Sequence, residues 1–553
     1  MFNNTKPNVI LISDSTDVLG MPKTLGPYKV AHVLREHGIE VAVIHHASIF
    51  SIREILHALT HLISKSTLYV GVNNMFYADT GDCIERQDGG IEFKNIESGS
   101  ILPHGKSFNA VVKKKIKECN PNCKLVFGGP TARDGEHARI FDYVVTGYAE
   151  CSALNLAFHL MDPAHPLEKS RKSVWGPIIV DDSRAEKYDF SHGCMKYQDH
   201  VVILPGETLV LELARGCIFK CAFCSYPMNG KKKMDFIRVM DLVRQEIIEN
   251  YEKFGVTRYI FSDDTINDSP EKCQMIYEMS KGLPFELEWW GYLRLDLLAA
   301  HPETIDWIFG SGCRSAFFGI ETLHPEAAKA VGKGGNREKL FAVVKQIKDR
   351  YGQKVNLHGA FVFGLPHEPE SSMEKTVDFL LSDECLLDSW IVQPLNIRPQ
   401  GQTYDNGFLS DLDINFEKYG YRNMGQKSSD GNVYTSFRQE TGQMVWANEH
   451  TDRLRVEKLI IEAYKRKNES SKNIISGISA FSFAGLGLSL DSFLNTCNQD
   501  HDWNLIDQKK LQRANLYKKI LFEKCGVPEI LGTNQTSNTT FSDWLKSKSH
   551  LEI

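Results

Sequence analysis

Ala214-Arg215-Gly216-Cys217-Ile218-Phe219-Lys220-Cys221-Ala222-Phe223-Cys224-Ser225 places three thiols within eight residues, three residues between the first pair and two between the second. This spacing lets all three converge on one metal cluster. Thiolates hold iron–sulfur cubanes, which contain four irons, so three ligands leave one iron without a protein partner. An open coordination position is what a catalytic metal site keeps and a structural site closes. Zinc is the alternative. It usually takes four ligands from paired Cys or Cys/His knuckles. Cys273, the nearest cysteine downstream, has no paired partner, whereas His192 and Cys194 upstream could complete such a site.

The flanks set the fold around this loop. An apolar strand at 209–213 runs straight into the cysteines. Helices at 236–253, 270–281, 302–309, 337–350 and 370–382 then alternate with strands at 258–262, 286–291, 315–320, 355–363 and 389–396. Six such units in ~190 residues fall short of the ~250 that a full eight-fold barrel takes, so a partial barrel is expected. Barrel sites form at the carboxyl ends of strands, where the cysteine loop departs. Other strand ends carry polar or turn residues in the same position: Ser262-Asp263-Asp264, Arg294, Gly319-Ile320-Glu321 and Gly364-Leu365-Pro366. Trp289 and Trp290 read as core.

Upstream, strands at 8–12, 41–44, 68–72, 124–127 and 142–145 alternate with helices at 27–37, 51–64 and 107–118. That alternation predicts a doubly wound parallel sheet, a fold that binds ligands at its carboxyl edge. Residues 78–106 read as a glycine-rich insertion.

The cysteine motif and the strand ends after it resemble the radical S-adenosylmethionine (SAM) enzymes. The first part of the chain is similar to the cobalamin-binding domain fused to many of them. That second likeness rests on Thr24-Leu25-Gly26 entering a helix closed by Arg35-Glu36-His37-Gly38, on Val126-Phe127-Gly128-Gly129-Pro130, and on Asp142 to Glu150. The fold class implied is α/β: an N-terminal doubly wound, Rossmann-like domain (1–162), a linker (163–206), a partial (β/α)6 barrel (207–400) and a mainly helical closing or substrate region (401–553). The Asp-x-His-x-x-Gly motif that supplies a cobalt ligand in other cobalamin proteins is missing, as it is in much of the radical SAM branch.

The resemblance implies residue roles. Cys217, Cys221 and Cys224 would hold a [4Fe–4S] cluster whose open iron chelates SAM. Phe223 would lie near the adenine, Asp263 and Asp264 near the SAM amino group, and Arg294, Gly319 and Glu321 near ribose and carboxylate. Cobalamin contacts would come from Ser13, Leu25, Gly26, Asn73, Gly128, Gly129, Gly147, Tyr148 and Glu150. The implied reaction is reductive cleavage of SAM to a 5′-deoxyadenosyl radical, then cobalamin-dependent methylation of an unactivated carbon. Cobalamin-assisted cyclisation, rearrangement or oxidation without methyl transfer is the alternative. A non-catalytic cobalamin- or SAM-sensing module is the second.

Bulk composition agrees with such a protein and excludes others. The 553 residues are 42% hydrophobic and 24% charged, ordinary for a soluble chain. A net charge of −6 gives no basic excess for nucleic acid; Lys231 to Lys233 reads as a solvated loop. No apolar run is long enough to span a bilayer, and the N-terminus lacks a signal-peptide layout. Thirteen scattered cysteines do not make a disulfide framework and point to a reducing, cytoplasmic setting. An electron donor such as flavodoxin or ferredoxin and an unidentified organic substrate are the expected partners. Residues 444–467 read as a helix, 474–496 as a helix pair closing the barrel, and 531–541 as a polar segment.

Overall fold

The computed structural model describes residues 6–13, 22–73, 108–129, 132, 134–182, 188–198, 201–226, 228–398, 409–424, 444–470, 477–496 and 500–528. The insertion at 78–106 and the segment 531–541 lie outside them. Two compact units form, divided at Val210/Leu211, with the C-terminal helix Trp503–Cys525 belonging to the first.

In the first unit, strands β1 (Val9–Ile12), β2 (Val41–Ile44), β3 (Tyr69–Asn73), β4 (Lys124–Gly128), β5 (Tyr143–Gly147), β6 (Ser170–Lys172) and β7 (Ile178–Asp182) make one sheet in the order β2-β1-β3-β4-β5-β7-β6. Pairing is parallel except between β6 and β7. β1 and β2 are continuous apolar runs buried along their whole length, as parallel strands covered on both faces must be. Helix Leu25–Glu36 packs beside Glu150–Met161, and Ile52–Leu62 beside Phe108–Cys119. Ile52–Leu62 starts at a reciprocal Ser51/Glu54 capping box and buries Ile52, Ile55, Ala58, Leu59 and Leu62, the three-to-four spacing of one helical face. Winding reverses between β1 and β3, which creates the crevice where such sheets take ligands.

Two features differ from the sequence reading. The stretch 163–206 is more than a linker, since β6 and β7 extend the sheet from within it. Helix Trp503–Cys525 does not join the closing region. Its Ala514, Tyr517, Leu521, Phe522 and Cys525 sit in the same core as Ile10, Phe50 and Ile55 of the first unit. Helical periodicity shows that such a face exists but not which core receives it.

The second sheet holds strands β8 (Leu209–Leu211, within which the division falls), β9 (Arg258–Phe261), β10 (Glu288–Leu293), β11 (Cys313–Glu321), β12 (Asn356–Phe363) and β13 (Ser389–Pro394), hydrogen-bonded in sequential order. The registered pairs from β9 to β13 are parallel, and helices connect each strand to the next. This is the partial six-strand barrel. Trp289 and Trp290 are fully buried core residues.

Helices Gly477–Ala484 and Leu490–Asn495 lie against the amino ends of these strands. Gly477 abuts Trp290 and Ser315. Asn356, the first residue of β12, donates to the Leu494 carbonyl at 2.6 Å. Arg258, the first of β9, donates to the Ala484 carbonyl at 3.2 Å. The expected helix at 444–467 starts later, at Arg453–Asn468. Trp446–Ala447 before it is a short strand paired with Arg422–Asn423.

Candidate functional site

The cysteine loop leaves β8 under close restraint. The Leu213 N–H donates to the Asp263 carboxylate at 2.7 Å. Ala214 bridges Ile237, and Cys217 bridges Asn229. Gly216 turns with φ +72°, and a Cβ there would stand 2.6 Å from the Met228 carbonyl oxygen, so only glycine fits without strain. The Ala222 N–H donates to the Val331 carbonyl, and the Cys224 N–H to that of Cys221.

Cys217 is buried, and Cys221 and Cys224 are half-buried. Three thiols offered from one loop are a donor set for a cubane with one iron left open, whereas a structural zinc takes four ligands. Cys273 is not an additional ligand: it is buried in helix Pro270–Lys281, and burial pushes its thiol up to about 12.

Each sulfur has its own environment. The Thr265 hydroxyl stands 3.4 Å from Cys217 Sγ. Arg294 Nη1 donates to Cys221 Sγ at 3.4 Å. Burial raises the Cys224 thiol, while the Tyr226 N–H and the Asn229 amide pull it back down. A thiolate needs donors like those at Cys221 and Cys224 once its proton is gone.

The other sequence candidates divide. Asp264 is at the mouth of the site. Burial first, then the charges of Asp263 and Glu212, push its carboxyl up to about 6, and the same carboxyl influences Cys224, Tyr226 and Tyr292. Asp263 faces inward. It is 1% exposed, and its second oxygen lies 2.9 Å from the Lys272 ammonium, so its carboxylate is committed to holding the loop. Glu321 adopts φ +71° and pairs with Lys333 at 3.2 Å. Lys333 also donates to the Gly319 carbonyl at 2.8 Å. A Cβ on Gly319 would stand 2.6 Å from Glu321 Oε1, so a larger residue there would displace that carboxylate. Phe223 is half-buried between Cys221 and Cys224.

Several residues here carried no sequence signal. Asn267 and Asp296 fix Arg294, Lys272 fixes Asp263, and Lys333 fixes Glu321. Glu368 is another. It is fully buried beyond the end of β12, takes the Thr322 hydroxyl as donor, and burial pushes its carboxyl up to about 7. The folded state thus keeps a proton that the unfolded chain releases near 4.5. The stability contribution is complete below that value and lost as pH rises through about 7. Glu368→Gln is expected to flatten this slope. The variant should gain Tm relative to wild type at pH 8 and show no gain at pH 5, as differential scanning fluorimetry across that range would show.

In the first unit the strand ends gather most of the cobalamin candidates. Ser13 follows β1, Asn73 ends β3, Gly128 ends β4 and Gly147 ends β5. Asn73 Nδ2 reaches Ser13 Oγ at 3.2 Å across the β1/β3 crevice, and Ser13 Oγ meets Thr24 Oγ1 at 3.0 Å. Thr24 precedes the helix that carries Leu25 and Gly26. A Cβ at Gly26 or Gly128 would meet nothing within 4 Å, so packing requires a glycine at neither position. Gly129 and Gly147 have positive φ, Tyr148 is half-buried and Glu150 is buried. Of the histidines, His45 and His46 follow β2 but are packed inward, and burial holds both pKa values well below the usual range.

Known proteins resemble this chain in sequence and fold. Residues 211–380 match the Radical SAM superfamily. The chain is 29% identical over 180 residues, 32% of its length and 38% of the relative's, to bacteriochlorophyllide d C-12(1)-methyltransferase of Chlorobaculum tepidum. It is 24% identical over 324 residues, 53% of its length and 51% of the relative's, to the anaerobic magnesium-protoporphyrin IX monomethyl ester cyclase of Cereibacter sphaeroides. The chain thus spans only about two fifths to half of these curated relatives. The radical SAM methyltransferase TsrM from Kitasatospora setae, solved with cobalamin and a [4Fe-4S] cluster, superimposes with a TM-score of 0.60 at 14% identity, covering 92% of this chain and 99% of that one. The central domain thus resembles the radical SAM superfamily, and the chain has a fold like that of TsrM. Among the described residues, no helix is long and apolar enough to cross a membrane.

Proposed function

We propose that this protein is a cobalamin-dependent radical SAM enzyme that methylates an unactivated carbon of an organic substrate. The observation that carries this reading is the cysteine loop: three thiols fixed at the carboxyl edge of a partial barrel, beside the carboxyl of Asp264. When bound, a [4Fe–4S] cluster supplies the electron that splits SAM into methionine and a 5′-deoxyadenosyl radical, and cobalamin supplies methyl transfer.

The chain's own groups bind and orient. Cys217, Cys221 and Cys224 hold the cluster. Asp264 offers an acceptor to the SAM ammonium, which wants a carboxylate or carbonyl. Glu321, held by Lys333, offers acceptors for ribose hydroxyls. Tyr226 and Tyr292 are 62% and 38% exposed beside Asp264, and apolar rings left open at a site favour substrate contact. Ser13, Asn73, Gly26 and Gly128 border the cobalamin crevice. A thiolate cluster needs a reducing compartment, so we place the protein in the cytoplasm, with flavodoxin or ferredoxin as its electron donor.

The methyltransferase among the relatives favours methylation. The cyclase relative matches over a longer stretch and favours cobalamin-assisted oxidation or cyclisation as the second reading. Anaerobic purification with hydroxocobalamin tests the proposal. About four irons per chain, bound cobalt, and release of 5′-deoxyadenosine on reduction with SAM are expected. S-adenosylhomocysteine forming in step with product marks the methylase. Its absence during turnover marks the second reading. Ligand binding without any turnover would make the chain a sensor and overturn the enzyme assignment.

A further inference from the structure

Arg294 follows β10, at the strand end where SAM ribose and carboxylate contacts are expected, yet its guanidinium is already engaged. Nε donates to Asp296 Oδ1 at 3.0 Å and Nη2 to Asp296 Oδ2 at 2.6 Å, a bidentate pair. Nη2 also donates to the Gly332 carbonyl at 3.2 Å, and Nη1 points at Cys221 Sγ, 3.4 Å away. The guanidinium carbon lies 4.1 Å from the centroid of the Phe219 ring. The backbone is pinned as well: Arg294 N–H donates to Asn267 Oδ1 at 2.8 Å, and Asn267 Nδ2 returns a bond to the Arg294 carbonyl at 2.9 Å. Asp296 is held in turn by the Gly334 N–H at 2.9 Å. The residue is 6% exposed. Swinging it toward a ligand would break the bidentate pair.

The sulfur end of this arrangement decides its meaning. As a thiol, Cys221 can donate to the Gly332 carbonyl, 3.8 Å away. As a cluster ligand it has lost that proton and can only accept. The donor already aimed at it is cationic. Hydrogen bonds to cluster sulfurs are among the features that set a cluster's potential. A cationic donor favours the more negative, reduced cluster.

We propose that Arg294 is a positioning residue for the cluster: through its hydrogen bond to Cys221 it raises the reduction potential, and it does not bind the SAM carboxylate. The inference rests on the radical SAM reading above. Its test uses the full chain, reconstituted anaerobically, as wild type, Arg294→Met and Arg294→Lys. The readouts are iron content, an EPR-monitored redox titration without SAM, and SAM affinity by equilibrium dialysis. Arg294→Met should lower the ratio of reduced to oxidised cluster about tenfold at a fixed potential, equivalent to ~59 mV for a one-electron couple. Arg294→Lys, which keeps a charge and a donor, should recover part of the shift. SAM affinity should change less than threefold in both. If Arg294→Met fails to retain iron, the Arg294→Lys shift decides alone. Unchanged potentials with SAM affinity weakened tenfold or more would overturn the proposal in favour of a SAM contact. Unchanged potentials and affinity together would reduce Arg294 to a structural ion pair. A wild type that assembles no cluster would defeat the radical SAM reading itself and this inference with it.

Discussion

Lys272→Met is expected to cost the second unit about 3–5 kcal/mol, the usual penalty for removing one partner from a buried charge pair. The Lys272 side chain is completely buried. Its ammonium lies 2.9 Å from Asp263 Oδ2 and 3.7 Å from Asp268 Oδ1, and donates to the Thr265 carbonyl at 2.9 Å. Burial alone would lower its pKa, but the two carboxylates outweigh burial and raise it. Methionine fills a similar volume and leaves two buried carboxylates with only the longer-range charge of Lys231. Asp263 also accepts the Leu213 N–H at the entrance to the cysteine loop, so the loop should loosen together with the fold. Urea unfolding should show an early transition, and reconstituted protein should hold less iron. The double variant Asp263→Asn/Lys272→Met should recover part of the loss, because one orphaned charge is gone and the pair is coupled. A single variant as stable as wild type would mean that water reaches these carboxylates.

Tyr517→Ala carries a comparable expected cost in the first unit, about 3–5 kcal/mol as for other large aromatic truncations in a core. Tyr517 is 1% exposed on the C-terminal helix and meets His46 edge-on at 5.6 Å and Phe50 at 6.3 Å. Its hydroxyl joins the Tyr28 side chain and the His45 backbone. The Lys23 ammonium, paired with Glu207, lies 5.5 Å from the ring centroid. Truncation opens a cavity under this network and loosens the helix from the sheet. Limited proteolysis should then cut near residue 503 much faster than in wild type. Tyr517→Phe keeps the ring and loses only the hydroxyl's bonds, so about 1 kcal/mol is expected. Equal protease resistance in Tyr517→Ala and wild type would show that the helix contributes little to that core.

These two sites show where sequence reading succeeds and where it stops. The runs that became β1 and β2 are wholly apolar, so burial on both faces was legible from the residues themselves. The six barrel strands and the longer helices between them were legible through alternation and turn residues, whereas the short helices Leu295–Ala300 and Pro325–Val331 were not. The cysteine loop was legible through spacing alone. In contrast, Ser170-Arg171-Lys172 forms β6 as a fully exposed edge, and no apolar pattern marks it. Lys272 looks like any surface lysine on an amphipathic helix until its fold partners are known. Arg294 meets a sulfur 73 residues away. Family likeness placed it near the ligand, but the side-chain geometry that ties it to Cys221 exists only in three dimensions. Asp263 and Asp264 are adjacent in sequence, yet one faces the interior and the other the site, because successive residues leaving a strand point to opposite sides.

The most direct measurement is made on the triple variant Cys217→Ala/Cys221→Ala/Cys224→Ala. It should be purified anaerobically beside wild type and assayed for iron and for 5′-deoxyadenosine released from SAM under reduction. Wild type should carry about four irons and form 5′-deoxyadenosine, while the triple variant, with unchanged circular dichroism, should lose both. A triple variant that keeps the iron and still cleaves SAM would contradict the account.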